Sequence, residues 1–138
     1  ATWYYGITED EIDLDKGNHL VVVDIKGLLE LEEYYGRDSI ISVYLNVPED
    51  ERERRARERD VNFDEAEWNR RAVDDEAVFR NVLSIVDFTV DNTEGIDLTA
   101  SKIIEFAGVF TDWRERYRRY YNSQSSLSHE RGGVIDGL

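Results

Sequence analysis

"ISVYLNVPEDERERRARERD", residues 41–60, carries two patterns back to back. Its first part belongs to an apolar, β-branched run, "SIISVYLNV" (39–47), and reads as a strand buried on both faces. Pro48 suits the first turn of a helix, and Glu49, Asp50 and Glu51 stand where the positive end of a helix dipole favours acids. Five arginines follow, at 52, 54, 55, 57 and 59. On a helix Arg52, Arg55 and Arg59 share one face. Glu51 with Arg55 and Glu53 with Arg57 form i,i+4 pairs in the favourable order. Spacing alone therefore leaves two readings, a helix face neutralised by its own glutamates or a cationic face awaiting an anion.

Similar segments lie on either side. "HLVVVDI" (19–25) is a second apolar run of strand type, and "SIVDFTVDN" (84–92) a third. Thr8 and Glu11 make a capping box, with Ile7 and Ile12 as its staple, for a helix over about 9–16 that Gly17 ends. "GLLELEEYY" reads as a short helix closed by Gly36, and another helix begins near Asp64 with Trp68, Ala72, Phe79 and Leu83 on its inner stripe. Asp97 or Thr99 is placed to cap a last helix. Its stripe of Ile103, Phe106, Phe110, Trp113, Tyr117 and Tyr120 carries it to about residue 121 despite Gly108. Residues 122–138, rich in Ser and Gly, read as a loop or mobile tail. No internal repeat is visible.

Alternation of helices with doubly buried strands predicts an α/β three-layer sandwich around a small, mainly parallel sheet. Ligands in such sheets sit at the carboxyl ends of the strands, here Asp24, Asn46, Asp91 and Asn92.

Composition narrows the functions. At 138 residues the chain suits one domain, and 41% hydrophobic residues argue against wholesale disorder. The net charge of −14 disfavours nucleic acid, because the mean field repels phosphate. The absence of cysteine removes disulfides, thiolate metal sites and cysteine catalysis, and is compatible with a reducing compartment. No run is long and apolar enough to span a membrane, and no secretory signal opens the chain. Position 1 is not methionine, which reads as initiator removal or excision from a longer chain. His19 and His129 have no partners at metal-ligand spacing, and Asp13, Asp15, Asp74 and Asp75 follow no calcium-loop pattern, so no metal is assigned. Ser125, Ser126 and Ser128 near His129 imply no catalytic geometry.

Four stretches in order resemble the latter half of guanylate kinases, over roughly residues 3–107. "WYYGIT" with "EDEI" is similar to the Tyr-Tyr-Gly-Thr segment and its helix, and "VVVDIKGLLEL" to the strand and turn written Asp-Ile-Asp-Val-Gln-Gly. The opening stretch resembles the strand, proline and lid helix with its Arg-Leu-x-x-Arg-Gly pattern. "NRRAVDDE" and "VDFTVDN" resemble the arginine-bearing helix and the last strand. The resemblance implies that Tyr5 bonds the phosphate of GMP and that Asp24 contacts the guanine side. It makes Arg55 and Arg59 lid contacts to ATP phosphates, has Arg71 bridge the phosphates in transfer, and sets Asn92 beside the adenine. Phosphoryl transfer relies on such positioned cations.

The family's phosphate loop, G-x-x-x-x-G-K-S/T, is not in this sequence: Lys16, Lys26 and Lys102 each follow a residue other than glycine. Ile7, Val22, Lys26, Ala56 and Asp60 also depart from the pattern. The fold implied is an incomplete guanylate-kinase-like sandwich lacking its phosphate-loop strand. The expected function is a non-catalytic scaffold for protein binding or assembly, of viral or accessory type, with residual GMP binding left open. The alternative is part of a guanylate kinase, using ATP and Mg once another segment supplies the phosphate loop. No cofactor is assigned otherwise. A sheet gap invites a homo-oligomer or a covering protein. "WRERYRRYY" (113–121) lies beyond the resemblance. Trp113, Tyr117 and Tyr120 can be packing, a stacking surface for single-stranded nucleic acid or a docking surface; the last is the partner assignment. The setting expected is cytoplasmic or virion-associated.

Overall fold

The computed structural model describes residues 11–132, with side chains to Ser125. In order it contains α1 (Ile25–Tyr35), β1 (Val43–Asn46), α2 (Glu49–Arg59), α3 (Glu65–Phe79), α4 (Val82–Ile85), β2 (Phe88–Asp91) and α5 (Ile96–Gly132). Short 3-10 turns occupy Leu14–Lys16 and Arg37–Ser39. The chain is a mixed α/β protein with a small parallel sheet, and it divides into two compact units. One holds the chain up to Ser42 together with Asn62–Val86, the other Val43–Val61 and Asp87 onward.

In the first unit, helix ends follow the local chemistry. Asp24 accepts the Gly27 amide at 2.7 Å and so caps α1. Gly36, at φ +86°, closes α1 with its amide on the Glu32 carbonyl at 3.0 Å. Asp64 caps α3 through the Glu67 amide at 3.1 Å, and Phe63 packs on Trp68 at 5.9 Å, bracketing the same helix start as a hydrophobic staple. Gly17, at φ +127°, ends the turn at Leu14–Lys16 as expected. The helix expected over 9–16 does not form as such: Ile12 and Asp13 are not helical, Asp13 is the extended cap of that short turn, and residues 9 and 10 lie outside the described residues.

Two further expectations fail here. Residues 18–24 form no strand, and Leu20 and Val22 are 92% and 96% exposed. A strand needs a neighbour to take its backbone hydrogen bonds, and among the described residues this run has none. Asp24 therefore opens a helix instead of ending a strand. Leu83 is also not on the inner stripe. It lies on α4 and is 70% exposed, whereas Val82 beside it is buried. The short helix is set by local bonds, from Ser84 Oγ to the Asn81 carbonyl at 2.7 Å and from the Val86 amide to the Val82 carbonyl at 3.1 Å. These bonds confine the strand read over 84–92 to 88–91.

The second unit holds the sheet. β1 and β2 run parallel, with Val43 opposite Phe88 and Asn46 opposite Asp91. α5 packs on β2 through Phe106, whose ring meets Phe88 edge to face at 5.6 Å. Val90, 2% exposed, is the most deeply buried hydrophobic side chain among the described residues. At the start of β2, Asp87 takes an ion pair from Arg114 of α5 at 3.3 Å; both side chains are largely buried. Arg114 also lies over the Phe110 ring, 4.8 Å from its centroid.

α5 does not stop near residue 121. It continues to Gly132, because residues 122–131 contain neither glycine nor proline and Ser costs a helix only a few tenths of a kcal/mol. Nor does Asp97 or Thr99 cap it. Gly95, at φ +115°, precedes the first turn, Asp97 lies within that turn, and Thr99 is buried.

Candidate functional site

The carboxyl ends of β1 and β2 bring together Asn46, Asp91 and Asn92, three of the four residues that sheet topology predicts, within one unit. Parallel register puts Asn46 beside Asp91, and the Asn46 side-chain amide donates to Asp91 Oδ1 at 2.9 Å. Directly after β2, the Asn92 amide donates to the Asn46 carbonyl at 2.9 Å. Arg55 reaches in from α2. Its Nη2 donates to the Asn92 carbonyl at 2.8 Å, and its Nε to Glu51 Oε1 at 2.7 Å. Thr99 Oγ1 lies 3.0 Å from both the Asn92 side-chain oxygen and the Gly95 carbonyl. One hydroxyl proton can serve only one of them, so the Asn92 amide completes the set when its nitrogen faces Thr99.

The resemblance paired Arg55 and Asn92 in one nucleotide site, and the fold does bring them together. Their contact is with each other, through backbone and guanidinium. Arg55 nonetheless uses only two of its five N–H groups in these bonds, and the rest of the fork is available to an anion.

Electrostatically, α2 is self-neutralising along most of its length. Arg54 bonds Glu51 at 2.8 Å and Glu58 at 2.5 Å, and Arg57 bonds Glu53 at 2.6 Å. Hydrogen bonds from Arg54 and then Arg55 hold the Glu51 carboxyl down to about 2. Arg54 is raised in turn, chiefly by Glu51. Arg59, the other lid candidate, is exposed at the last turn of α2.

Asp24 and Arg71 lie in the other unit. Asp24 is the cap of α1 described above. Arg71 is an exposed residue of α3 whose Nε bonds Glu67 at 2.7 Å. Arg70 bonds the same glutamate at 2.8 Å, and the two arginines, Arg70 foremost, hold Glu67 at about 2. Tyr5 lies outside the described residues. Trp113, Tyr117 and Tyr120 are more than half exposed on α5. Trp113 stacks on Tyr117 at 5.6 Å, and Tyr117 meets Tyr121 at 6.0 Å, so Tyr121 rather than Tyr120 extends the aromatic ladder.

Two contributors were not legible as site members in the sequence. Glu51 takes two arginines, whereas i,i+4 spacing reveals only Arg55; Arg54 reaches it at i,i+3. Thr99 reads as a cap, and its bond to Asn92 depends on how the chain turns between β2 and α5.

Among the described residues, no three His, Asp or Glu side chains are grouped to hold a metal ion, and no helix is long and apolar enough to cross a membrane. No protein-family model, curated protein or solved structure matches this chain, so the likeness to guanylate kinases stands on its motifs alone.

Proposed function

We propose that this chain is a guanylate-kinase-like scaffold, an incomplete three-layer sandwich that binds protein partners or assembles and does not itself transfer phosphate. One observation carries the reading. Arg55 and Arg71, which the resemblance would set against phosphate, are each bonded at 2.7 Å to a glutamate one turn earlier on their own helix. Glu51 and Glu67 are ionised at neutral pH, and their arginines lower both further, to about 2. A phosphate must compete with these carboxylates, and no phosphate loop in the sequence adds backbone amides to help it.

A second reading is favoured by the geometry at Arg55. Its remaining N–H groups lie at the carboxyl end of parallel strands, beside Asn92. In that reading the chain binds GMP and works as a kinase, using ATP and Mg, when another segment supplies the phosphate loop.

Thermal melting with millimolar GMP or uridine monophosphate, at low salt, separates the two. A ligand that binds only the folded state raises the melting temperature. The scaffold reading expects no shift with either nucleotide and no ADP from ATP plus GMP. A rise with GMP alone, lost in Arg55→Ala, replaces it with the second reading.

A further inference from the structure

We propose that α5 pairs antiparallel with α5 of a second copy of the chain, about a centre at Trp113. This deepens the assembly reading, and its test can fail while that reading survives.

The aromatic stripe of α5 has two parts. Toward its N-terminus, Thr99 is buried, Ile103 and Phe110 are partly covered, and Phe106, 42% exposed, sets its ring on Phe88. A four-residue strand spans only about 13 Å, whereas a 37-residue helix runs for about 55 Å. The stripe therefore outruns its sheet. Beyond Phe110 it continues as Trp113, Tyr117 and Tyr120, and these, with Val109, are all more than half exposed. Such a contiguous apolar face marks an interaction site.

Charge order identifies the occupant. Glu105, Asp112, Arg116 and Arg119 follow one another at intervals of seven, four and three residues, which sets them along one flank of the stripe. All four are exposed. Glu105, Asp112 and Arg116 make no ion pair among the described residues, and Arg119 has only a 3.8 Å approach to Glu115. On α2 and α3, by contrast, Arg54, Arg57 and Arg70 are matched within the helix.

Along the chain the flank reads acid, acid, base, base. Parallel pairing of two copies puts this flank on opposite sides of the interface, so its charges find no partner there. Antiparallel pairing sets Glu105 opposite Arg119 of the partner subunit and Asp112 opposite Arg116 of the partner subunit. Both pairings centre within one residue of Trp113, where Trp113 meets its own counterpart and Tyr117 lies opposite position 109 of the second copy. Aromatic burial supplies the affinity, and the flanking charges select register and direction.

The test uses the whole chain and measures mass against concentration by sedimentation. Two charge-reversed forms, Glu105→Arg with Asp112→Arg and Arg116→Glu with Arg119→Glu, should each weaken self-association at least about tenfold. Helix content should stay unchanged, and equal mixing should restore pairing. The chain has no cysteine, so introduced thiols report direction. Val109→Cys mixed with Tyr117→Cys should join through a short bifunctional thiol reagent, while Val109→Cys alone should not. Self-association indifferent to charge reversal, or cross-linking of Val109→Cys alone, overturns the proposal and leaves the assembly reading standing. A monomer at every concentration also overturns it, as does a monomer that binds single-stranded oligonucleotide through this stripe.

Discussion

Arg55 and Asn92 are where chemistry and architecture meet in this chain. Arg55 joins α2 to the exit of β2, through Glu51 on one side and the Asn92 carbonyl on the other. Glu51 is the residue whose protonation tests this arrangement. Its folded-state value, about 2, lies below the ordinary 4.5, so the folded chain takes up its proton less readily than the unfolded one. The resulting stability is present in full above pH 4.5 and is lost as the pH falls through 2. Carboxyl-carbon NMR should show Glu51 titrating near 2, and Glu51→Gln should flatten the loss of melting temperature across that interval. A titration near 4.5 would return Arg54 and Arg55 to solvent.

Among the elements, the junction of α5 with β2 is the one that most needs tertiary structure. Arg114 belongs to a segment dense in arginine, and nothing in its spacing separates it from Arg116 or Arg118. Only the fold gives it a partner, Asp87, whose side chain is 5% exposed. Taking away one member of a buried pair removes a counterion from a desolvated charge, at a cost of about 3 kcal/mol. Arg114→Ala should therefore lower unfolding free energy on that order in urea. Arg118→Ala, on an exposed position of the same helix, should change it by no more than about 0.5 kcal/mol. Equal effects would mean that the Asp87 pair does not anchor α5. The caps are the opposite case. Asp24, Gly17 and Gly36 act through bonds within a few residues, and Gly17 and Gly36 were readable as helix ends from the sequence. Phe63, Asp64, Glu67 and Trp68 likewise spell a capped and stapled start of α3, of which the sequence reading recognised only Asp64.

At the scale of the molecule, burial is thin. Among the described residues the buried hydrophobic side chains are Leu28, Val82 and Val90, while Leu20, Val22, Trp113 and Tyr120 are among many left exposed. Apolar surface in that amount favours association. If association covers it, the folded state is stabilised by mass action, and the melting temperature should rise with protein concentration. A melting temperature that is constant over a hundredfold dilution would show that the exposed surface is not covered by a second copy.

What the sequence determined by itself is what nearest neighbours decide. A short 3-10 turn ends at Gly17 and α1 at Gly36, α2 and α3 start after Pro48 and Asp64, and Glu51 pairs with Arg55 and Glu53 with Arg57, because each rests on spacing within one turn. The parallel alignment of 43–46 with 88–91 was also within reach, since both runs are apolar and β-branched and a long helical crossover separates them. Tertiary structure alone decided that 19–25 is not a strand, that Asp24 is a cap, that α4 takes the start of the third apolar run, and that Arg114 is the arginine that finds Asp87. Strand formation and ion-pair choice depend on a partner distant in sequence. An apolar run reads the same whether or not a neighbouring strand exists to accept its hydrogen bonds.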